Sequence, residues 1–355
     1  MRKPSIGLAA AIVLASSAAV ASQADSTDVL MSRYTGDVPG ASLLVIKDGK
    51  PIVRRGYGMA DMEHHVPATP ATNYRLASVS KQFTAAAILL LAEDGKLKLD
   101  DPVRRWLPSL PENTAAVTLR HLLTHTGGLV DYEDLIPPGT TAQVSDADVL
   151  RMLSSAPTTY FAPGSAYRYS NTGYVLLGLV VEQASGQRLQ DFMAQRIFRP
   201  LHMDHTLLYV HQDPAPTTVR VPNRAYGYSR LDGQWVRTDQ SVTSATRGDG
   251  GIYSSIDDLA KWDAALYDDR LLGDASRTLA FTPHVKVTGE PCRASYGYGW
   301  RITGDTVWHS GESIGFRNVI VRWPKQHLTV ILLSNRNAPE PYRTALEIAQ
   351  PFLDP

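Results

Sequence analysis

Ser78-Val79-Ser80-Lys81 sets a hydroxyl and an amine three residues apart, a spacing that stacks them on one face of a helix. A serine is a poor nucleophile near neutral pH unless a neighbour activates it, and the amino-terminal end of a helix adds a favourable field. The pair could therefore attack a carbonyl carbon. No other Ser-x-x-Lys occurs in the chain. Gln82 to Ala92 is nearly all apolar and Asp94-Gly95 is a stop signal, so the spacing predicts a helix that opens at the serine and is buried on most sides. A lysine on such a helix is costly without a task, which favours chemistry over an N-cap serine beside a solvated lysine. Two companions follow in order. Tyr169-Ser170-Asn171 is the only Tyr-x-Asn, in a loop after Pro163-Gly164, and His309-Ser310-Gly311 ends a strand.

The elements that would position these residues are sheet at both ends of the chain and helix in the middle. Ala41 to Lys47 and Ile52 to Tyr57 are apolar, partly β-branched runs joined through Asp48-Gly49, a strong hairpin signal. Thr306 to His309, Phe316 to Trp323 and Leu328 to Leu333 read as three late strands, with Pro324-Lys325-Gln326 as a turn and a closing helix from Tyr342 to Gln350. Between them lie helical stretches at Leu119 to Leu123, Asp146 to Ser154, Tyr174 to Ala184, Leu189 to Ile197 and Leu259 to Leu266, the last capped by Ser255. The expected class is α/β (α+β): an antiparallel sheet from both chain ends flanked by helices, with an inserted, mostly helical lobe. Residues 25–76 and 250–355 would form the sheet lobe and 77–249 the helical one. Ser78 then sits where the chain leaves the sheet lobe, in a cleft between lobes.

Composition narrows the partners. The 355 residues are 43% hydrophobic and 20% charged, ordinary for a soluble globular chain. Arg2 and Lys3 precede an apolar run from Ile6 to Ala21, which reads as a signal peptide over residues 1–21 with an Ala-x-Ala cleavage site, or cleavage after Ala24. The expected location is periplasmic or secreted, with no stable membrane insertion after cleavage. Losing Arg2 and Lys3 from 35 basic and 35 acidic residues leaves a charge of about −2, which suggests neither nucleic acid nor an anionic membrane as partner. The single cysteine, Cys292, reads as a packed or incidental thiol.

Some spacings mislead. His121 and His125 lie one helical turn apart, but a third ligand and a catalytic Glu are missing from the pattern; they read as a structural pair bonding backbone at the lobe junction, and no metal is expected. His64-His65 reads as a surface pair. Tyr296, Tyr298 and Trp300 read as strand core. Gly311-Glu312-Ser313-Ile314-Gly315 spells the nucleophile elbow of α/β-hydrolases, yet the next element is a strand and no Asp or Glu lies between Ser313 and His327.

The three ordered motifs, with Thr118 to Leu129 and Gly250-Gly251-Ile252-Tyr253-Ser254-Ser255, resemble the serine penicillin-recognising enzymes over roughly Gly40 to Ser334. These are the class C β-lactamases, the DD-peptidases, and the esterases and D-amino-acid peptidases that share their fold. The resemblance implies an acyl-enzyme on Ser78, with Lys81 and Tyr169 handling its proton and Asn171 holding Lys81 and the substrate amide. It also implies an oxyanion hole from the backbone N–H groups of Ser78 and Glu312, with His309, Ser310 and Gly311 beside the substrate. No cofactor is implied. His309 stands where many relatives carry a lysine, and a histidine titrates near neutral pH. With Glu312 acidic unless Arg317 or another cation neutralises it, this leans towards small or peptide-like ester and amide substrates without a strong acid at that end. The expected enzyme is an exported serine hydrolase resembling an esterase, DD-carboxypeptidase or D-aminopeptidase. A working β-lactamase and a non-turnover penicillin-binding sensor are the alternatives.

Overall fold

Asp48 and Gly49 both take positive φ, 50° and 73°, the backbone of a two-residue hairpin turn whose twist suits the flanking strands. This turn folds Ala41–Lys47 (β1) back on Lys50–Tyr57 (β2). Six more strands follow late in the chain: Val285–Lys286 (β3), Ser295–Tyr296 (β4), Arg301–Thr303 (β5), Thr306–Ser313 (β6), Phe316–Trp323 (β7) and Leu328–Ser334 (β8). They join β1 and β2 in one eight-stranded sheet, ordered β3-β4-β5-β6-β7-β8-β1-β2, with every pair antiparallel. The two chain ends meet at β1 and β8, where Ala41 lies opposite Ser334. This computed structural model describes residues 27–155, 159–210, 220–289 and 293–353. The expected leader and Cys292 lie outside them.

The principal helices are Lys81–Glu93 (α1), Leu119–Leu123 (α2), Asp146–Ser154 (α3), Asn171–Ser185 (α4), Leu189–Met193 (α5), Ile256–Ala265 (α6), Asp274–Phe281 (α7) and Pro341–Ala349 (α8). Side chains alternate across the sheet with period two. Leu44, Ile46, Ile320, Ile331 and Leu333 face the large core that also holds α1 and α4. Leu43, Val45, Val319, Val321, Val330 and Leu332 face the opposite way, onto Ala345, Ile348 and Ala349 of α8. On the first face α6 packs on β1 and β8. It is fastened there by the buried Asp263 carboxylate, which accepts from Arg322 Nε at 2.6 Å and Thr329 Oγ1 at 2.8 Å. No helix among the described residues is long and apolar enough to cross a membrane.

Several element bounds differ from the sequence expectation, and three of the differences are instructive. β6 runs four residues past His309 because its hairpin partner continues to pair, down to Ser313 opposite Phe316. Its His-Ser-Gly-Glu-Ser stretch lacks apolar alternation because β5 pairs only as far as Trp308, and this part of the strand lies against the Ala77–Ser80 turn. α4 starts at Asn171, three residues early, because Ser170 accepts from the Gly173 N–H as its cap. The helix expected from Leu189 to Ile197 is α-helical only to Met193 and widens to a π-helix over Ala194–Phe198, a change that apolar spacing does not signal.

Candidate active site

Ser78 lies in a 3-10 turn, Ala77–Ser80, that runs directly into α1. In this tighter helix residues i and i+3 eclipse, so Lys81 stands over Ser78. The turn is tied to the neighbouring segment by Leu76 N–H to Ile252 O at 2.8 Å and by Ile252 N–H to Ser80 Oγ at 3.2 Å. Ala77 has φ +49°, a left-handed conformation that costs a non-glycine residue about 1–2 kcal/mol, so the backbone just before Ser78 is held under strain. Residues 81 to 91 are all buried. The Lys81 amine makes up for that burial with three acceptors: Ser78 Oγ at 3.1 Å, Asn171 Oδ1 at 2.8 Å and the Asp249 carbonyl at 3.0 Å. Three acceptors match the three hydrogens of an ammonium.

Asn171 is the first residue of α4, and both ends of it are anchored. Its backbone N–H donates to Asp131 Oδ2 at 2.7 Å, and its side-chain Nδ2 donates to Glu133 Oε1 at 2.9 Å. The substrate amide that Asn171 was expected to hold therefore meets an amide nitrogen already bonded to Glu133. Glu133 is exposed, and partial desolvation together with the Asp131 charge holds its carboxyl above the ordinary range. Tyr169, half-buried, lays its ring 5.0 Å from the Lys81 Nζ.

The wall opposite is β6. Its partner β5 pairs only as far as Trp308, so His309 to Ser313 presents an edge on the side of the Ser78 turn. Contact there is close. A Cβ at Gly311 would stand 2.0 Å from Leu76 O and 3.2 Å from Val79 N, so only glycine lets the strand lie against the turn. Glu312 projects outward, its side chain 70% exposed, and pairs with Arg317 Nη2 at 2.5 Å. The cation that would neutralise it is therefore in place.

His309 corrects a sequence expectation. It is 1% exposed, its Nδ1 lies 2.6 Å from the Ser310 carbonyl, and its Nε2 lies 3.0 Å from the Tyr296 hydroxyl. A carbonyl only accepts, so Nδ1 carries the hydrogen and Nε2 accepts from Tyr296. Burial first, then the charges of Arg301 and Lys81, hold the imidazole well below its ordinary range. The residue is neutral, not a titrating stand-in for lysine. The Tyr296 phenol, pushed well up by burial, remains a donor.

Ser78, Lys81 and Asn171 are thus in direct contact, Tyr169 covers the amine, and His309 stands with its ring 6.3 Å from that of Tyr169. Ser313 sits before the Ile314-Gly315 hairpin turn, not on an elbow. His121 and His125 bond backbone, accepting from Thr118 N at 3.2 Å and Ser170 N at 3.1 Å, and no cluster of three or more metal-binding side chains exists among the described residues. His64 and His65 are surface residues, with side chains 73% and 70% exposed. Tyr296, Tyr298 and Trp300 are buried. Sequence reasoning missed Glu133, the Asp249 carbonyl and the Tyr296 hydroxyl. The first two lie in turns without periodic pattern, and a backbone acceptor has no residue-type signal at all.

A part-exposed serine bonded to a buried lysine amine lies beside an open strand edge, on a sheet covered by helices on both faces. The sequence model of the family described as Beta-lactamase matches residues 20–351, and the chain belongs to this family of serine hydrolases related to β-lactamases and penicillin-binding proteins. It is 34% identical over 322 residues to Penicillin-binding protein 4* of Bacillus subtilis (strain 168), covering 86% of this chain and 70% of that one. It is 30% identical over 315 residues to Protein flp of Staphylococcus aureus (strain COL), covering 85% of this chain and spanning 61% of that protein's length. The D-amino acid amidase of Ochrobactrum anthropi SV3, solved with D-phenylalanine, superposes with a TM-score of 0.78 at 25% identity, covering 94% of this chain and 98% of its own.

Proposed function

We propose that the protein hydrolyses ester or amide bonds of small or peptide-like substrates through an acyl-enzyme on Ser78. One observation carries the reading: Ser78 Oγ lies 3.1 Å from a fully buried lysine amine fixed by Asn171 and the Asp249 carbonyl. Ser78 Oγ bonds to the substrate carbonyl carbon as its proton passes to whichever of Lys81 and Tyr169 enters the step deprotonated, an amine or a phenolate, the other keeping its proton. The oxyanion is held by the N–H groups of Ser78 and Glu312. Tyr169 then returns the proton to the departing alcohol or amine, and a water that gives its proton to the same pair cleaves the acyl-enzyme.

The charges at the cleft narrow the substrate. His309 is neutral, Arg317 is paired with Glu312, and Glu133 offers a carboxylate beside Asn171. Such a rim favours an acyl group bearing a neutral or protonated amine over one bearing a carboxylate. The D-amino acid amidase likeness points the same way. The protein is read as acting outside the cytoplasm after loss of residues 1–21, which sequencing the amino terminus of the mature protein tests.

The deciding experiment is mass spectrometry of the enzyme mixed with a p-nitrophenyl ester. A covalent adduct on Ser78 that disappears with turnover, and is absent in Ser78→Ala, is expected. Undiminished hydrolysis by Ser78→Ala would refute the assignment. The same assay with a chromogenic cephalosporin and a fluorescent penicillin separates the alternatives. Steady cephalosporin turnover marks a β-lactamase, and a penicillin adduct stable for hours with no ester turnover marks a sensor.

A further inference from the structure

His125, at the end of α2, is bound to the catalytic loop on both sides of Tyr169. Its carbonyl accepts from the Arg168 N–H at 3.0 Å, and its Nδ1 accepts from the Ser170 N–H at 3.1 Å. Between those two attachments the His125 ring lies under Tyr169, centroids 4.3 Å apart and tilted by 36°. Tyr296 at 4.5 Å and Tyr174 at 5.1 Å pack around the same ring. The residue is 2% exposed and adopts φ +57°, a conformation that positions the ring and the carbonyl toward the same loop at a local cost of about 1–2 kcal/mol.

We propose that His125 is the positioning residue for Tyr169, fixing the phenol over Lys81 by clamping the backbone before and after it and by stacking on its ring. The inference rests on the reading of Tyr169 as a proton handler. Proton transfer requires the heavy atoms to be within hydrogen-bond reach, and a misplacement of about 1 Å can cost on the order of 100-fold. Tyr169 belongs to a loop, so its aim must come from outside that loop. Ser170, the other clamped residue, also caps α4 and precedes Asn171, but Asn171 has its own anchors on Asp131 and Glu133, which leaves Tyr169 as the group the clamp serves.

The clamp works only with a neutral imidazole, because a protonated Nδ1 would face the Ser170 N–H donor to donor. The charged and titratable groups around the ring favour that state. Burial disfavours a charged ring first, Lys81 on α1 and Arg301 on β5 oppose a further positive charge, and His309 on β6, itself neutral, offers no counter-charge. Tyr167 and Tyr169 of the loop, Tyr174 of α4 and Tyr296 of β4 present rings.

A double-mutant cycle on p-nitrophenyl butyrate hydrolysis tests the proposal, with rates normalised to active sites titrated by the acyl burst. His125→Asn keeps an acceptor and tolerates positive φ but removes the ring, and His125→Phe keeps a ring but removes the acceptor. Each is expected to lower kcat by about 10- to 100-fold with KM changed less than about threefold. His125→Asn/Tyr169→Phe should be no slower than Tyr169→Phe alone, because the histidine acts through the tyrosine. Multiplying effects, or wild-type kcat in both single variants, would overturn the proposal. Full activity in Tyr169→Phe would instead remove the role of Tyr169 and the clamp's purpose with it, while the Ser78 adduct still reports separately on acyl transfer.

Discussion

Lys81 donates to Asn171 Oδ1 at 2.8 Å while the other end of the same side-chain amide donates to Glu133 at 2.9 Å. The amide thus relays a carboxylate's field to the buried amine and cannot rotate without losing both bonds. Removing it leaves the ammonium one acceptor short, and a hydrogen bond to a charged group contributes about 1.5–3 kcal/mol. Asn171→Ala is expected to lower kcat/KM by roughly 10- to 100-fold, with the Ser78 adduct forming more slowly but at the same residue. A variant with unchanged acylation rate would show that Lys81 does not need this acceptor.

The neutrality of His309 has a measurable pH signature. Its folded-state proton affinity is held well below the ordinary value of 6.5, so the unfolded chain takes up the proton first as pH falls. The stability this group contributes is complete above its unfolded pKa and is lost as pH drops below it, at about 1.4 kcal/mol per pH unit for a single site. The buried carboxyl of Asp146, pushed up to about 6, contributes with the opposite sign. The comparison is therefore between wild type and His309→Asn. Urea unfolding from pH 7 to 5.5 should show a flatter slope in the variant, the difference growing towards about 1.4 kcal/mol per pH unit at the acid end. The acid limb of its kcat/KM profile should stay in place, and a limb that moves would return the titration to His309.

Much of this architecture could be read before any coordinates, because burial leaves a pattern. Ala41–Lys47, Phe316–Trp323, Leu119–Leu123 and Asp146–Ser154 have the bounds that their apolar alternation and caps imply. The Ser78–Lys81 pair was legible for a related reason, since a lysine in a helix otherwise fully buried demands partners. Its partners were only half legible. Asn171 announced itself by type and order, but the Asp249 carbonyl is backbone, and Glu133 lies on a short 3-10 turn, Tyr132–Leu135, that has no period. The charge state of His309 was also beyond reach. It depends on burial and on Arg301 of the neighbouring strand, and neither is visible in a His-Ser-Gly triplet.

Glu133 supplies a selectivity test. Its carboxylate stands beside Asn171, with Asp131 raising the local negative potential, so a protonated amine on the acyl group should be favoured there. Glu133→Gln keeps an acceptor for Asn171 Nδ2 but removes the charge. Its kcat/KM for an α-amino p-nitroanilide such as that of D-alanine is expected to fall about tenfold, the scale of a charged hydrogen bond made neutral. Hydrolysis of p-nitrophenyl butyrate, which lacks the amine, should change less than about twofold by the same reasoning. Equal losses on both substrates would mean that Glu133 acts through Asn171 alone.

Gly311 makes the separation between β6 and the Ser78 turn a matter of single atoms. A methyl there would meet three backbone atoms, Leu76 O at 2.0 Å and Leu76 C and Val79 N at 3.2 Å, all belonging to the turn that carries Ser78 or its approach. Backbone cannot step aside as a long side chain can, so the strand and the turn must part by about an ångström or more to reach ordinary carbon contact distances. That movement pulls the Glu312 N–H away from the Ser78 N–H and opens the proposed oxyanion site, where loss of one donor costs on the order of 100- to 1000-fold in kcat. Gly311→Ala should show a loss of this order. Its Tm should also fall, since overpacking a tight contact costs about 1–3 kcal/mol. Ser313→Ala, at the end of the same strand and opposite Phe316, controls for disturbance of β6 itself. If Gly311→Ala turned over esters at the wild-type rate while Tm fell, close approach of β6 would matter to folding and not to the oxyanion, and the Glu312 donor would have to be reassigned.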